Sequence, residues 1–179
     1  VVFAATKHMP APGAAGVSPL LEVLCHAVPD TWHYMGVMLS AGGSLRWFRD
    51  TIAFGNAALV QRQPASGDPY DALLREADVI APGAEGLTFL PYLTGERTPH
   101  RDPYARGAFV GLTLRHTQAH MTRAVVEAIS FGLRDSLDLV RQSGIHVDEV
   151  RVAGGGAKSS IWRQWLADIF ETEITLINS

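Results

Sequence analysis

Val152-Ala153-Gly154-Gly155-Gly156-Ala157-Lys158-Ser159 is the stretch whose reading decides the fold. A strand-like run over 149–153 enters three successive glycines, and a segment with apolar residues at helical spacing follows over 158–170. A strand that turns directly into a helix is the building unit of a layered α/β architecture. Glycine carries no Cβ, so a flat or anionic ligand can approach the main chain of this turn and the helix N-terminus behind it. A nucleotide would fit such a place. The plain alternative is that three glycines only permit a tight strand-to-helix connection, glycine being the usual turn residue.

Two familiar phosphate-binding loops fail on this stretch. A P-loop needs GxxxxGK followed by Ser or Thr, with glycine directly before the lysine. Here Ala157 precedes Lys158, and the first glycine would fall at Val152. A dinucleotide fingerprint, GxGxxG, would put its third glycine at Ser159. It would also want an acidic residue ending the next strand, whereas Glu173 precedes that strand.

Outward from the turn, the pattern continues to alternate. Met121, Ala124, Val125, Ala128, Ile129, Leu133, Leu137 and Val140 recur at three and four residues, which predicts a long amphipathic helix over 117–143 capped by Gly144. Further upstream, strands are predicted over 1–6, 31–38, 87–93 and 108–112, and a last strand over 173–177. Pro91 pushes the 87–93 strand towards an edge or ends it. Helices are predicted over 44–58, starting there or a few residues earlier, and over 70–78, the second ended by Pro82-Gly83. Loops are predicted at 10–16 and 64–69, and an ordered polar excursion over 95–107. Both ends of the chain are strand-like. Each is expected to pair within a sheet or to have lost its partner, because unpaired strand groups are costly.

Composition narrows the function classes. The 179 residues are 47% hydrophobic and 18% charged, which suits an ordinary globular core and excludes a disordered or long-helix class. A formal charge of -3 provides no basic stripe for a row of phosphates, so no nucleic-acid partner is expected. No apolar run reaches the roughly 18 residues of a membrane span, so no membrane partner is expected either. The single cysteine, Cys25, cannot close an internal disulfide, and a reducing, cytoplasmic setting is the expectation.

Several side chains invite sharper readings. His116 and His120 stand four apart, the spacing of two ligands on one helical face, but no third ligand is evident and no metal site is expected. Glu127 lies between Val126 and Ala128 and reads as a capped buried carboxylate or a packing contact rather than a catalytic acid. Trp162 and Trp165 read as core or interface, and Lys158 as solvated with at most a weak role towards a phosphate. The run Gly95-Glu96-Arg97-Thr98-Pro99-His100-Arg101-Asp102 is either a site near a cleft or an internally salt-bridged loop, and the residues leave both open.

A family resemblance spans nearly the whole chain. Gly107-Ala108-Phe109-Val110-Gly111-Leu112, seven residues, His120-Met121, two residues, and Ala124-Val125-Val126-Glu127 resemble the second signature of the FGGY carbohydrate kinases. Gly154-Gly155-Gly156-Ala157-Lys158-Ser159, Trp162-Arg163-Gln164 and Leu166-Ala167-Asp168 resemble the adenosine motif of that family. Cys25-His26-Ala27-Val28-Pro29, Met35-Gly36-Val37-Met38 and Leu90-Pro91-Tyr92-Leu93-Thr94-Gly95-Glu96-Arg97-Thr98-Pro99-His100 resemble its xylulokinase branch.

The resemblance implies an α/β, ribonuclease-H-like domain of the actin/hexokinase ATPase type, a mixed sheet flanked by helices, here incomplete. Residues 1–179 would be most of the second, C-terminal domain of a two-domain kinase, with the N-terminal sugar-binding domain and the final helices absent. The implied activity is ATP-dependent phosphorylation of a sugar, with ATP and Mg²⁺ as cofactors and a small-molecule sugar as partner; a homodimer of the full-length enzyme is compatible with it. Gly111, Gly154, Gly155, Gly156 and Ala157 would line the nucleotide pocket, with Ser159 near the adenine. The catalytic Asp is expected outside this chain, so the piece alone is expected to be inactive. The other readings are a kinase of the family acting on glycerol, gluconate or ribulose, and an actin-like nucleotide-binding module without transferase activity.

Overall fold

The computed structural model describes residues 1–7, 18–55 and 67–177. The predicted loop at 10–16, residues 56–58 of the predicted 44–58 helix and residues 64–66 lie outside the described residues.

Strands β1 (Val2–Thr6), β2 (Glu22–Cys25) and β3 (Trp32–Gly36) form an antiparallel sheet in the order β1-β3-β2, with Ala4 and Val23 both opposite Tyr34. β2 escaped the sequence reading: four residues ending in Cys25 are too short for a period-2 pattern to stand out. Helix α1 (Ala41–Phe48) follows, starting where the Ser40 carbonyl accepts both the backbone N–H and the hydroxyl of Ser44 at 2.6 and 2.7 Å. It passes into a π-helical turn, Arg49–Ala53, so the single helix predicted over 44–58 begins earlier and changes pitch.

Helix α2 (Pro69–Asp78) has a start that the sequence dictates. Asp68 accepts the Tyr70 N–H at 2.9 Å as N-cap, and Pro69 occupies the first turn, where a missing N–H costs nothing. β4 (Thr88–Leu90) and β5 (Ala108–Val110) pair antiparallel, both shorter than predicted. Helix α3 (Gln118–Gln142) is the long amphipathic element, and the N–H of Gly144, at φ +79°, bonds to the Arg141 carbonyl as expected of a C-cap. Finally, β6 (Val150–Val152) and β7 (Ile174–Leu176) pair in parallel, linked through the glycine turn and α4 (Ser160–Phe170).

Parallel and antiparallel pairings therefore coexist, as a mixed sheet requires, but among the described residues they fall into three separate sheets. Among the described residues β1 pairs with β3, and it shares with β6 a cavity of about 610 Å³ into which Leu133 and Leu137 of α3 and Leu166 and Phe170 of α4 also project. Both terminal strands pair inside sheets.

α3 is the spine. It packs against α1, α2, α4, β3 and β4, and its Val125, Val126 and Ile129 are almost wholly removed from solvent together with Phe48, Leu73 and Leu74. Each such side chain contributes roughly 1.5–3 kcal/mol of burial, so the spine is what holds the surrounding elements in register.

Candidate functional site

The residues after β6 form the site because three glycines there do three different things. Gly154 has φ +89°, a conformation other residues resist, and it bends the chain out of the sheet. Gly156 lies against the Trp162 ring, where a Cβ would come within 3.0 Å of the indole. Gly155 has neither constraint: its φ is not positive, and a Cβ added there would meet nothing within 4 Å.

The space in front of Gly155 is a cleft of about 400 Å³. One wall is the turn itself, with Gly155, Gly156, Lys158 and Ser159, backed by Trp162. The others come from α1, which contributes Gly42, Leu45 and Arg46, and from the start of α2, which contributes Tyr70, Asp71 and Leu74 beside the capping Asp68. The volume falls in the usual range of small-molecule sites, and the lining combines an aromatic ring, apolar side chains and charges of both signs.

The turn is rigidly held. Residues 155–158 make one 3-10 turn in which the Ala157 N–H donates to the Gly154 carbonyl at 3.2 Å. The Arg163 guanidinium donates to the carbonyls of Ala157 and Lys158, and the Ser159 hydroxyl accepts the Trp162 N–H at 3.3 Å, capping α4. The predicted 158–170 helix is thus a 3-10 turn followed by an α-helix that begins at Ser160.

Of the residues singled out from the sequence, Gly155, Gly156, Lys158, Ser159 and Trp162 meet in this cleft. Gly154 and Ala157 shape the turn without lining it, Ala157 being buried beneath it. Gly111 stands apart: it has φ +92° and packs on residue 86, where a Cβ would sit 2.6 Å from the Gly86 carbonyl oxygen. Its role here is close backbone packing rather than cleft lining. Gly42, Leu45, Arg46, Tyr70 and Asp71 were missed. The pair Gly42-Gly43 at a strand-to-helix junction was a legible hint, but Tyr70 and Asp71 are distant in sequence and only the packing of α2 brings them in.

The polar run over 95–102 is tied to β2 and to the exit of β3. Glu96, 2% exposed, accepts the Leu39 N–H at 2.9 Å and the Arg97 N–H at 2.7 Å, and Thr98 exchanges hydrogen bonds with Val37. Arg97 and Arg101 reach Glu22 at 2.8 and 3.8 Å, and the hydrogen bond from Arg97, with its charge, holds the Glu22 carboxyl below its ordinary range. Tyr92 and His100 bond at 2.8 Å nearby, and burial raises the carboxyl of Asp135 against the opposing pull of His100. His120 is a capping residue, its Nδ1 accepting the Thr117 N–H at 3.2 Å. Among the described residues no group of three His, Cys, Asp or Glu lies close enough together to hold a metal ion. Also among them, no helix is long and apolar enough to cross a membrane.

The architecture is that of the actin/hexokinase-type ATPase fold found in sugar kinases. A solved xylulose kinase from Rhodospirillum rubrum superposes with a TM-score of 0.79 at 28% identity, covering 97% of this chain and 32% of that one. The model of the C-terminal domain of the FGGY family of carbohydrate kinases matches residues 2–179, and the chain belongs to that family. It is 42% identical over 154 residues to a xylulose kinase of Staphylococcus epidermidis, which covers 86% of this chain and 29% of that relative. It is 38% identical over 160 residues to a gluconokinase of Bacillus subtilis, 88% of this chain and 31% of that one. The chain thus spans about a third of the length of these relatives.

Proposed function

We propose that this chain is most of the C-terminal domain of a two-domain kinase and supplies the nucleotide site for ATP-dependent phosphorylation of a sugar, D-xylulose becoming D-xylulose 5-phosphate. The observation that carries the reading is Gly155, bare of contacts and facing a cleft whose volume suits a nucleoside. The purine would lie between the α1 and α2 walls and the glycine turn, with Trp162 closing the back and Lys158 on the rim.

In such a kinase the acceptor hydroxyl attacks the γ-phosphorus in line, the bond to the bridging oxygen breaks, and ADP leaves with that oxygen. The acceptor proton passes to a carboxylate base that this reading places outside residues 1–179. What this chain does is bind and orient: the turn fixes the adenosine end, and α1 and α2 keep water from it. The described residues gather no cage for Mg²⁺, and no step of this reading runs through it.

Gluconate is the second acceptor to weigh, because a gluconokinase lies at 38% identity, close to the xylulose kinase value of 42%. A coupled ADP-release assay on the intact gene product, with xylulose, gluconate, glycerol and ribulose, separates them. Xylulose is expected to be turned over with the highest kcat/KM. A preference for gluconate would move the substrate assignment, and activity with none of the four would favour a nucleotide-binding module without transferase chemistry.

A further inference from the structure

A buried ion pair on α3 lies behind two walls of the cleft. Glu127 and Arg123, one helical turn apart, are 7% and 6% exposed and hydrogen-bond to one another through Oε1 and Nε. Both Glu127 oxygens also accept the N–H of Gly83, at 3.1 Å each. Gly83 lies just past α2 and opens a run in which Gly83, Ala84, Glu85 and Gly86 have φ of +83°, +45°, +54° and +88°. Within this turn the N–H groups of Ala84 and Gly86 bond to the carbonyls of Ala81 and Gly83, and the carboxylate takes the N–H of Gly83. On the other side, the Arg123 guanidinium lies over the Trp165 ring, 3.7 Å from its centroid. Trp165 stands three residues after Trp162 on α4, and Trp162 itself donates to Ser130 of α3 at 3.2 Å and backs the cleft.

We infer that Arg123 and Glu127 are a positioning pair that sets the width of the cleft: the carboxylate fixes the end of α2 through Gly83, and the guanidinium fixes α4 and the glycine turn through Trp165. Neither side chain lines the cleft, so the pair acts on the ligand only through the walls it holds. The physical ground is that a desolvated ion pair is poor value for stability alone. Apolar residues of the same volume commonly serve as well or better, whereas fixed hydrogen-bond geometry can hold separate elements in one arrangement. The inference rests on the reading of this cleft as the nucleotide site.

The test is made in the intact kinase. The double variant Arg123→Met/Glu127→Leu keeps the volume, and is expected to fold with a Tm near the parent's, to raise KM for ATP about tenfold or more, and to leave kcat and KM for the sugar within about twofold. Glu127→Gln, which retains an acceptor for Gly83, is expected to restore most of the ATP affinity. Ile129→Val, a core change on the same helix, is expected to leave KM for ATP unmoved. A folded double variant with parental KM for ATP overturns the pairing role. Should the double variant not fold, hydrogen exchange on Glu127→Ala, which removes the acceptor for Gly83, decides: faster exchange in both 82–87 and 160–166 supports the linkage, and acceleration of one segment alone or of neither refutes it. Failure of the nucleotide reading looks different, since ATP would then bind Gly155→Val and the parent alike while the exchange result still judged the linkage.

Discussion

Gly111→Ala isolates the packing role of a glycine that the sequence marks as part of a nucleotide motif. The added methyl would stand 2.6 Å from the Gly86 carbonyl oxygen on a backbone held at φ +92°. The conformational cost of the left-handed region is about 1–2 kcal/mol. The overlap adds about 1–3 kcal/mol, because the obstacle is main chain and cannot rotate away. Residue 86 cannot retreat freely, since the run 83–86 is moored to Glu127. A loss of about 3 kcal/mol in a chain of this size lowers Tm by roughly 6–12 °C. The reference is Gly144→Ala, the C-cap glycine of α3, with φ +79° but nothing within 4 Å of the new methyl, which bears only the conformational part and should cost about 1–2 kcal/mol. Thermal unfolding of the two variants beside the parent makes the measurement. If Gly111→Ala unfolds no earlier than Gly144→Ala, the close contact with residue 86 does not exist as described and the argument for a scaffolding role fails.

The remaining expectations concern the cleft, the polar loop region and a cap. Gly155→Val should leave stability within about 0.5 kcal/mol, because the site is open and φ is not positive, yet weaken ATP binding beyond roughly a hundredfold by calorimetry, as the branched side chain fills the space in front of the turn. Unchanged ATP affinity would count against the cleft as nucleotide site. Burial raises the Asp135 carboxyl above its ordinary 3.8, so the folded state disfavours the ionised form, and that group's contribution to stability is full below pH 3.8 and lost as pH rises through the raised value. Asp135→Asn should therefore raise Tm at pH 7, with the gain shrinking towards pH 3.8; a gain that grew on acidification would reverse the sign. Asp68→Ala removes the N-cap of α2 and should cost about 1 kcal/mol, read as a lower urea midpoint with unchanged slope.

Local signals in the chain carried some elements completely and others not at all. The α3 helix was legible because twenty-five residues repeat one apolar face and end in a glycine, a pattern that no strand or loop imitates. β2 was illegible because four residues beside a turn carry too little period, and its partnership with β3 depends on a neighbour brought in by the chain's return. Glu127 shows the same limit in side-chain form. Its place between two apolar residues announced a buried carboxylate, but nothing local named Gly83 as the donor it would meet.

The amino-acid sequence by itself determined the α/β class, the family and the glycine turn, since these depend on periodicity, on turn chemistry and on contiguous motifs, all of which are properties of neighbours along the chain. Only the tertiary structure decided which glycine faces the cleft, which props a tryptophan and which supports a distant loop. Those roles are set by what lies across a few ångströms of space, and residues such as Tyr70 and Gly155 become neighbours only when α2 and the turn after β6 are packed around α3.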